Sequence, residues 1–282
     1  MSTEADMNAR VTMRTNINKT AAIKNQLKVC ILSVKYNIMR EMLNRVTFLT
    51  NIIFMMLNNA AFLIQWNILF HLKKNIGGYT IREVMLLWAL SASSYGLAHL
   101  LFARVFSLHE LIINGKLDSY LVQPKNVLLS IMTSATKTSS IGDLLYGLGI
   151  VCIFCFSFRN LLLFLLFTVT GATILTAYAL LMGSLSFWFV RADMVGSHLV
   201  DSMVNFSTYP DGIFKGAVKF VLYLIIPTGM SIYLPVHIMV NFHMGWLLIV
   251  LGFMLLLLTA AVFTFYRGLR RYSSSNLTAA RL

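Results

Sequence analysis

A chain of 282 residues with 58% hydrophobic and 12% charged side chains lacks the surface chemistry of a soluble protein, since soluble domains carry roughly 25% charged residues. The mean hydropathy of +0.75 also excludes a disordered chain, and Cys30, Cys152 and Cys155 are too few for a disulfide scaffold. What remains is an all-α polytopic membrane protein, because long apolar blocks without period-2 alternation do not build a barrel.

In chain order, residues 1–21 are polar and read as a flexible cytoplasmic tail, with no apolar core of a cleavable signal. Residues 22–45 change character. Ile23, Leu27, Ile31, Val34, Ile38 and Met42 recur at helical spacing, with Ser33, Asn37, Arg40 and Asn44 opposite. This predicts an amphipathic helix lying on the inner leaflet; a solvated helix packed on another subunit is the alternative.

The scarce charges then mark out the spans. Charge-free runs cover 46–72, 84–103, 144–158, 160–190 and 220–266. A span needs about 20 residues, so the last run predicts two, divided near Pro227 and Pro235. Six transmembrane helices are expected in one unit over 22–272, followed by a second cytoplasmic tail, 273–282. The stretch from Pro227 to Phe242 also reads as a broken, re-entrant piece, which at membrane depth must be buried in protein.

Lys and Arg set the orientation. With six spans, 19 of them fall on the side of the two termini and 4 on the other, namely Lys73, Lys74, Arg82 and Arg159. The bias predicts both termini in the cytoplasm of a cell-membrane protein. The net charge of +13 is then a property of topology and of contact with anionic lipid headgroups; no nucleic-acid motif accompanies it.

Catalytic signatures are missing. Gly115-Lys116 lacks the earlier glycine of a phosphate loop and is followed by Leu117. His71, His99, His109, His198, His237 and His243 are scattered, and Cys152 and Cys155 lack the partners a metal centre needs. No metal site and no catalytic residue is expected. Asp143 and Lys137 fall near the cytoplasmic start of the third span, where snorkelling makes them tolerable. In the first span Asn51, Asn58 and Gln65 share a face. The stripe either lines a translocation path or holds helices together by interhelical hydrogen bonds. Ala92 and Gly96 permit close helix packing.

One segment carries a resemblance. The run from Ile112 through Asn114, Gly115, Lys116, Leu117, Asp118, Ser119, Tyr120, Leu121, Val122 and Gln123 to Pro124 resembles the inner loop of the type-2 ABC-transporter permeases. Gly142 with Asp143, Ile226-Pro227 through Tyr233 and Pro235, and Gly268 with Tyr272 are similar to further pieces of that family. The resemblance spans residues 25–275; the first twenty residues and Ser273 to Ser275 depart from it. It implies the membrane subunit of an ATP-driven exporter, not itself an enzyme. The chain would bind no cofactor, with ATP and Mg on a separate ABC ATPase. The permease would pair with a second copy or a related permease. The resemblance implies ATPase docking through a short helix within 107–124, on Glu110, Leu111, Ile112, Asn114, Lys116 and Asp118, with the apolar residues supplying most of the contact. A stand-alone ion-coupled transporter or channel is the alternative. Against it stand the lack of repeated halves and of mid-membrane charges.

Overall fold

A computed structural model describes residues 23–189 and 192–273, and the described residues are helical throughout, apart from turns and one two-residue bridge. The expected tails, save Ser273, lie outside the described residues. A first helix, α1, covers 23–41. Its row Ile23, Leu27 and Ile31 is exposed, while Ser33 and Asn37 both donate to the Thr133 carbonyl at 2.7 and 3.2 Å. α1 therefore holds the bundle by its polar face and turns its apolar face outward. It stops short of the expected residue 45, because the Asn44 side chain accepts from Thr47 N at 3.2 Å and caps a new helix.

That helix is α2 (Arg45–Leu72), followed by α3 (Ile81–Phe102). The tight turn between them places Gly77 and Gly78 at φ +60° and +83°, flanked by the paired Ile76 and Tyr79. Beyond α3 come the short helices α4 (Leu108–Ile113), α5 (Asp118–Leu121) and α6 (Val127–Met132). Then follow α7 (Ser140–Phe154), α8 (Phe158–Ser184), α9 (Ala192–Phe206), α10 (Ala217–Leu224), α11 (Leu234–Val240) and α12 (Met244–Leu269).

Four helical stretches are long and apolar enough to cross a membrane, beginning at Arg45, Ile81, Phe158 and Met244, or five if the bent pair α10–α11 counts as one. They match four of the expected spans within a few residues. α3 and α8 form the centre: in its most apolar stretch α3 is 72% buried within the chain, whereas α2 and α12 are each 11% buried. α2 and α12 thus offer their surfaces to lipid or to another chain.

The fifth crossing is not where the apolar run suggested. α10 and α11 meet at 75°. Lys219 of α10 and His237 of α11 both reach Asp211, at 2.9 and 3.6 Å, beside Tyr79 of the α2–α3 turn. The pair therefore enters and leaves at the same end of the bundle. Its tip, a π-helical turn at Gly229–Tyr233, reaches the middle of α8: a Cβ on Gly171 would lie 3.2 Å from the Ser231 carbonyl. Gly229, Ser231, Ile232 and Tyr233 are all buried, which lets irregular backbone sit at that depth. The re-entrant expectation for this stretch fits; the expectation of a span across it does not.

The passage between ends is made instead by α9. Gly196 packs on Met182, near the C-terminal end of α8, and the chain continues to Gly212, which abuts Gly77 at the opposite end. The 191–219 stretch, expected as an inner connection, thus runs from one end to the other. Lys215 and Lys219 lie at the other end from the one expected; moving these two alone turns the expected 19 to 4 split into 17 to 6. α9 escaped detection because His198, Asp201 and Asn205 interrupt it.

Candidate functional site: a polar cleft between two anchored ends

α7 starts deep in the bundle, and this places the first unexpected group. Asp143 is 1% exposed and accepts a 2.6 Å hydrogen bond from Asn59 Nδ2. Asn59 lies at the middle of the 28-residue α2. Asp143 lies in the first turn of α7, near the start of its helix as expected, and that start is set against the middle of α2. Three glycine contacts bring α7 this close. A Cβ on Gly96 of α3 would lie 2.8 Å from Asp143 Cβ, and one on Gly142 would lie 2.6 Å from the Ile52 carbonyl. A Cβ on Gly147 would lie 2.5 Å from the Ala89 carbonyl. Gly96 thus packs as its small-residue pattern suggested.

Asp143 lines a cleft of about 540 Å³ walled by α2, α3, α7 and α9. Asn58, Asn59, Trp88, Tyr95, Asp201 and Asn205 share the lining, with Phe62 stacked on Trp88 at 4.4 Å. Of the expected stripe, Asn58 reaches the cleft edge; Asn51 and Gln65 lie exposed on α2 away from it. Asn59, one residue off the stripe, is the buried partner that the face-counting argument missed. Its only sequence signal is the Asn58-Asn59 pair itself. Lys137 gives its ammonium to the Tyr95 hydroxyl at 3.2 Å.

At the end of the bundle away from the α2–α3 turn, the 108–126 loop is firmly held. Asn114 ends α4 and Gly115 follows at φ +66°, a left-handed residue that closes the helix. Leu108, Leu111, Ile112 and Leu117 are each at most 4% exposed. Leu111 and Ile112, expected as contact surface, instead anchor the loop in the chain's own core. Glu110, Asn114 and Lys116 point outward, as do Leu121 and Val122, the last 84% exposed. Asp118 is engaged beside Tyr272, whose hydroxyl burial and that carboxylate push up to about 12. Asn126 Nδ2 donates to Tyr266 Oη at 2.9 Å, and Gln26 Oε1 of α1 accepts from Asn126 N at 3.1 Å. The loop is thus tied to α1 and α12 at once.

At the other end, Asp211 is the hub. It accepts from Tyr79 at 2.9 Å and Tyr223 at 3.1 Å, and pairs with Lys219. Burial acts to raise its carboxyl, yet hydrogen bonds from His237, Lys219 and Tyr79, with the Lys219 charge, hold it well below the usual carboxylate range. A depressed folded-state pKa stabilises above the unfolded value of about 4 and is lost as pH falls through the folded one. Asp211→Asn is therefore expected to lower the thermal stability of the purified protein at neutral pH. Below about pH 4 the gap from wild type should narrow, because the unfolded chain's carboxylate binds a proton that the folded one still resists. A gap that is constant from pH 7 to pH 3 would contradict this role.

No group of three or more metal-ligating side chains occurs among the described residues. No curated protein and no solved structure matches the chain. A family model described as ABC-2 family transporter protein matches residues 42–276, from the start of α2 to beyond α12. That range takes in the cleft, the 108–126 loop and the Asp211 hub together, and the chain belongs to the ABC-2 family of transporter membrane proteins as a multi-pass permease subunit.

Proposed function

We propose that the chain is the permease of an exporter that moves its substrate through the cleft between α2, α3, α7 and α9, driven by ATP hydrolysed with Mg on a separate ABC ATPase. The family match over 42–276 carries this reading. A stand-alone ion-coupled transporter remains the second reading, favoured by the buried carboxylate Asp143. The exposed, rigidly anchored loop at the inner end gives the ATPase a lever, which favours the permease.

The proposal carries a topology. α2, α3, α7, α8, α9 and α12 make six passages through the cell membrane, and α10–α11 dips in from outside. The 17 to 6 cation split puts both termini in the cytoplasm. α1 lies along the inner leaflet with Ile23, Leu27 and Ile31 in the lipid. Asn51 and Gln65 on the uncovered face of α2 have no partners in lipid. A second copy, or a related permease, covers them.

Single cysteines at Lys215 and Ser119, in a chain whose own cysteines are replaced by serine, test the orientation. An impermeant maleimide applied to intact cells should label the Lys215 position and spare Ser119. The opposite pattern refutes it. Co-purification with the ATPase, followed by ATP-driven transport in proteoliposomes, tests the function. Purified protein that recruits no ATPase but transports with an ion gradient would establish the second reading.

A further inference from the structure

We infer that the cleft selects organic cations, meaning a positive centre carried on an apolar, aromatic-sized body. The inference rests on the permease reading for its transport role and on the following observations for its chemistry.

The cleft's charge is of one sign. Asp143 and Asp201 both line it, and no Lys or Arg is among its described lining residues. The nearest ammonium, that of Lys137, is committed to Tyr95, donating to its hydroxyl and lying 5.5 Å over its ring. It forms no ion pair with a carboxylate among the described residues, and its charge reaches Asp143 only through space.

Asp143 is also incompletely satisfied. It is 1% exposed; Oδ1 takes the Asn59 hydrogen bond, and Oδ2 meets no partner among the described residues. A buried carboxylate with an unmatched oxygen is costly, and a cation alongside offsets that cost. Asp201 stands on α9 across the same cleft and is exposed, which makes it the outer of two acidic contacts.

The remaining walls suit the body of such a ligand. Phe62 and Trp88 stack at 26° between their planes, and Tyr95 and Tyr209 add two more rings. Aromatic faces attract cations through their quadrupole and pack against apolar groups. Trp88 Nε1 is buried without a partner and Asn58 and Asn205 stand at the edge, so neutral polar substituents also find hydrogen-bonding groups. A volume of about 540 Å³ lies within the range of about 300–1,000 Å³ usual for small-molecule sites. An anionic substrate of the same size would meet two carboxylates and no cation among the described lining residues, Lys137 standing behind Tyr95.

The test uses two probes of nearly one shape and opposite sign, tetraphenylphosphonium and tetraphenylborate. Full-length chain is placed in nanodiscs of phosphatidylcholine, whose headgroups carry no net charge. Radiolabelled tetraphenylphosphonium should bind saturably, and tetraphenylborate should fail to compete. Tetramethylammonium, which has the charge without the body, should compete only weakly. Asp143→Asn keeps an acceptor for Asn59 and should weaken tetraphenylphosphonium binding roughly tenfold or more, as removal of one charge from a buried pair does. Asp201→Asn, at an exposed position that folding tolerates, should weaken it in the same direction. Glu83→Gln, at the start of α3 and outside the cleft, should bind as wild type.

Equal competition by tetraphenylborate, or wild-type affinity in both aspartate variants, overturns the assignment. The two readings fail separately. Absent tetraphenylphosphonium binding in a preparation that still recruits its ATPase removes the cation assignment alone. Saturable, Asp143-dependent binding in a chain that recruits no ATPase supports the cation site and removes the permease reading alone.

Discussion

Gly147→Val is expected to abolish the folded protein. Gly147 sits where α7 crosses α3. A Cβ there would be 2.5 Å from the Ala89 carbonyl and closer still to the Ser93 hydroxyl. The first is backbone of the most buried helix and cannot swing aside. Overpacking of an ordinary core site costs about 1–3 kcal/mol. Here relief requires α7 to separate from α3 along its length, which also drags Asp143 away from Asn59. The loss therefore exceeds that range and consumes much of a stability of about 5–15 kcal/mol. Gly149 is the internal control. It is two residues along, on the side of α7 where an added Cβ meets nothing within 4 Å. Gly149→Ala should be neutral or stabilise slightly, by up to about 1 kcal/mol, because alanine favours the helix. Size-exclusion profiles of detergent-solubilised protein read the outcome. A monodisperse Gly147→Val peak at wild-type yield would show that the crossing is looser than its geometry.

The contrast between these two glycines also shows why the sequence alone stops short of the site. Both lie in one apolar helix, and which of them touches α3 depends on helix rotation. Composition reveals an apolar block; it does not reveal how that block is turned. For this reason α2, α3, α8 and α12 were legible within a few residues, since their apolar length is enough to define them. α9 was not, because His198, Asp201 and Asn205 break its apolar pattern. Of these, Asp201 and Asn205 stand where α9 lines the cleft. The α10–α11 run reads as a span for the opposite reason: it is apolar throughout, but it turns back at a tip that is buried in protein together with α11, while α10 is mostly exposed. The Asn59–Asp143 pair joins residues 84 positions apart, so its existence hinges on the depth at which α7 begins. Charge counting places Asp143 near the start of its span, where it does lie, and the packing of Gly96 and Gly142 sets that start against the middle of α2.

On the proposed docking surface, Glu110→Arg combined with Val122→Asp is expected to release the ATPase while leaving the permease folded. The sequence pattern suggested Leu111 and Ile112 as the adhesive residues. They are 4% and 1% exposed, so they are occupied within the chain. What α4, α5 and the turns around them expose is a mixed surface: Glu110, Asn114 and Lys116 at one end, Leu121 and Val122 at the other. Val122 is 84% exposed, and covering such a side chain contributes about 1.5–3 kcal/mol. Its replacement by aspartate should weaken association roughly tenfold to a hundredfold. Reversal at Glu110 acts mainly on the rate of encounter, because a charge at an exposed rim steers more than it binds. Rigidity is what lets this surface act as a lever. Leu108 and Leu117 are fully buried, Tyr120 donates to Ser134 at 3.0 Å, and Asn126 ties the loop to α1 and α12. A push on Val122 is therefore delivered to α3, α8 and α12, and α3 is one wall of the cleft. Ile112→Ser supplies the contrasting case. It places a hydroxyl in the core and leaves a void, at a cost of about 2–5 kcal/mol, so the yield of folded protein should fall. The two variants separate docking from folding: the surface pair should lower ATPase recovery per folded permease, and the core substitution should lower the amount of folded permease. If the surface pair co-purifies with ATPase at wild-type yield and still transports, the contact lies elsewhere at the same end, at the 185–189 turn between α8 and α9.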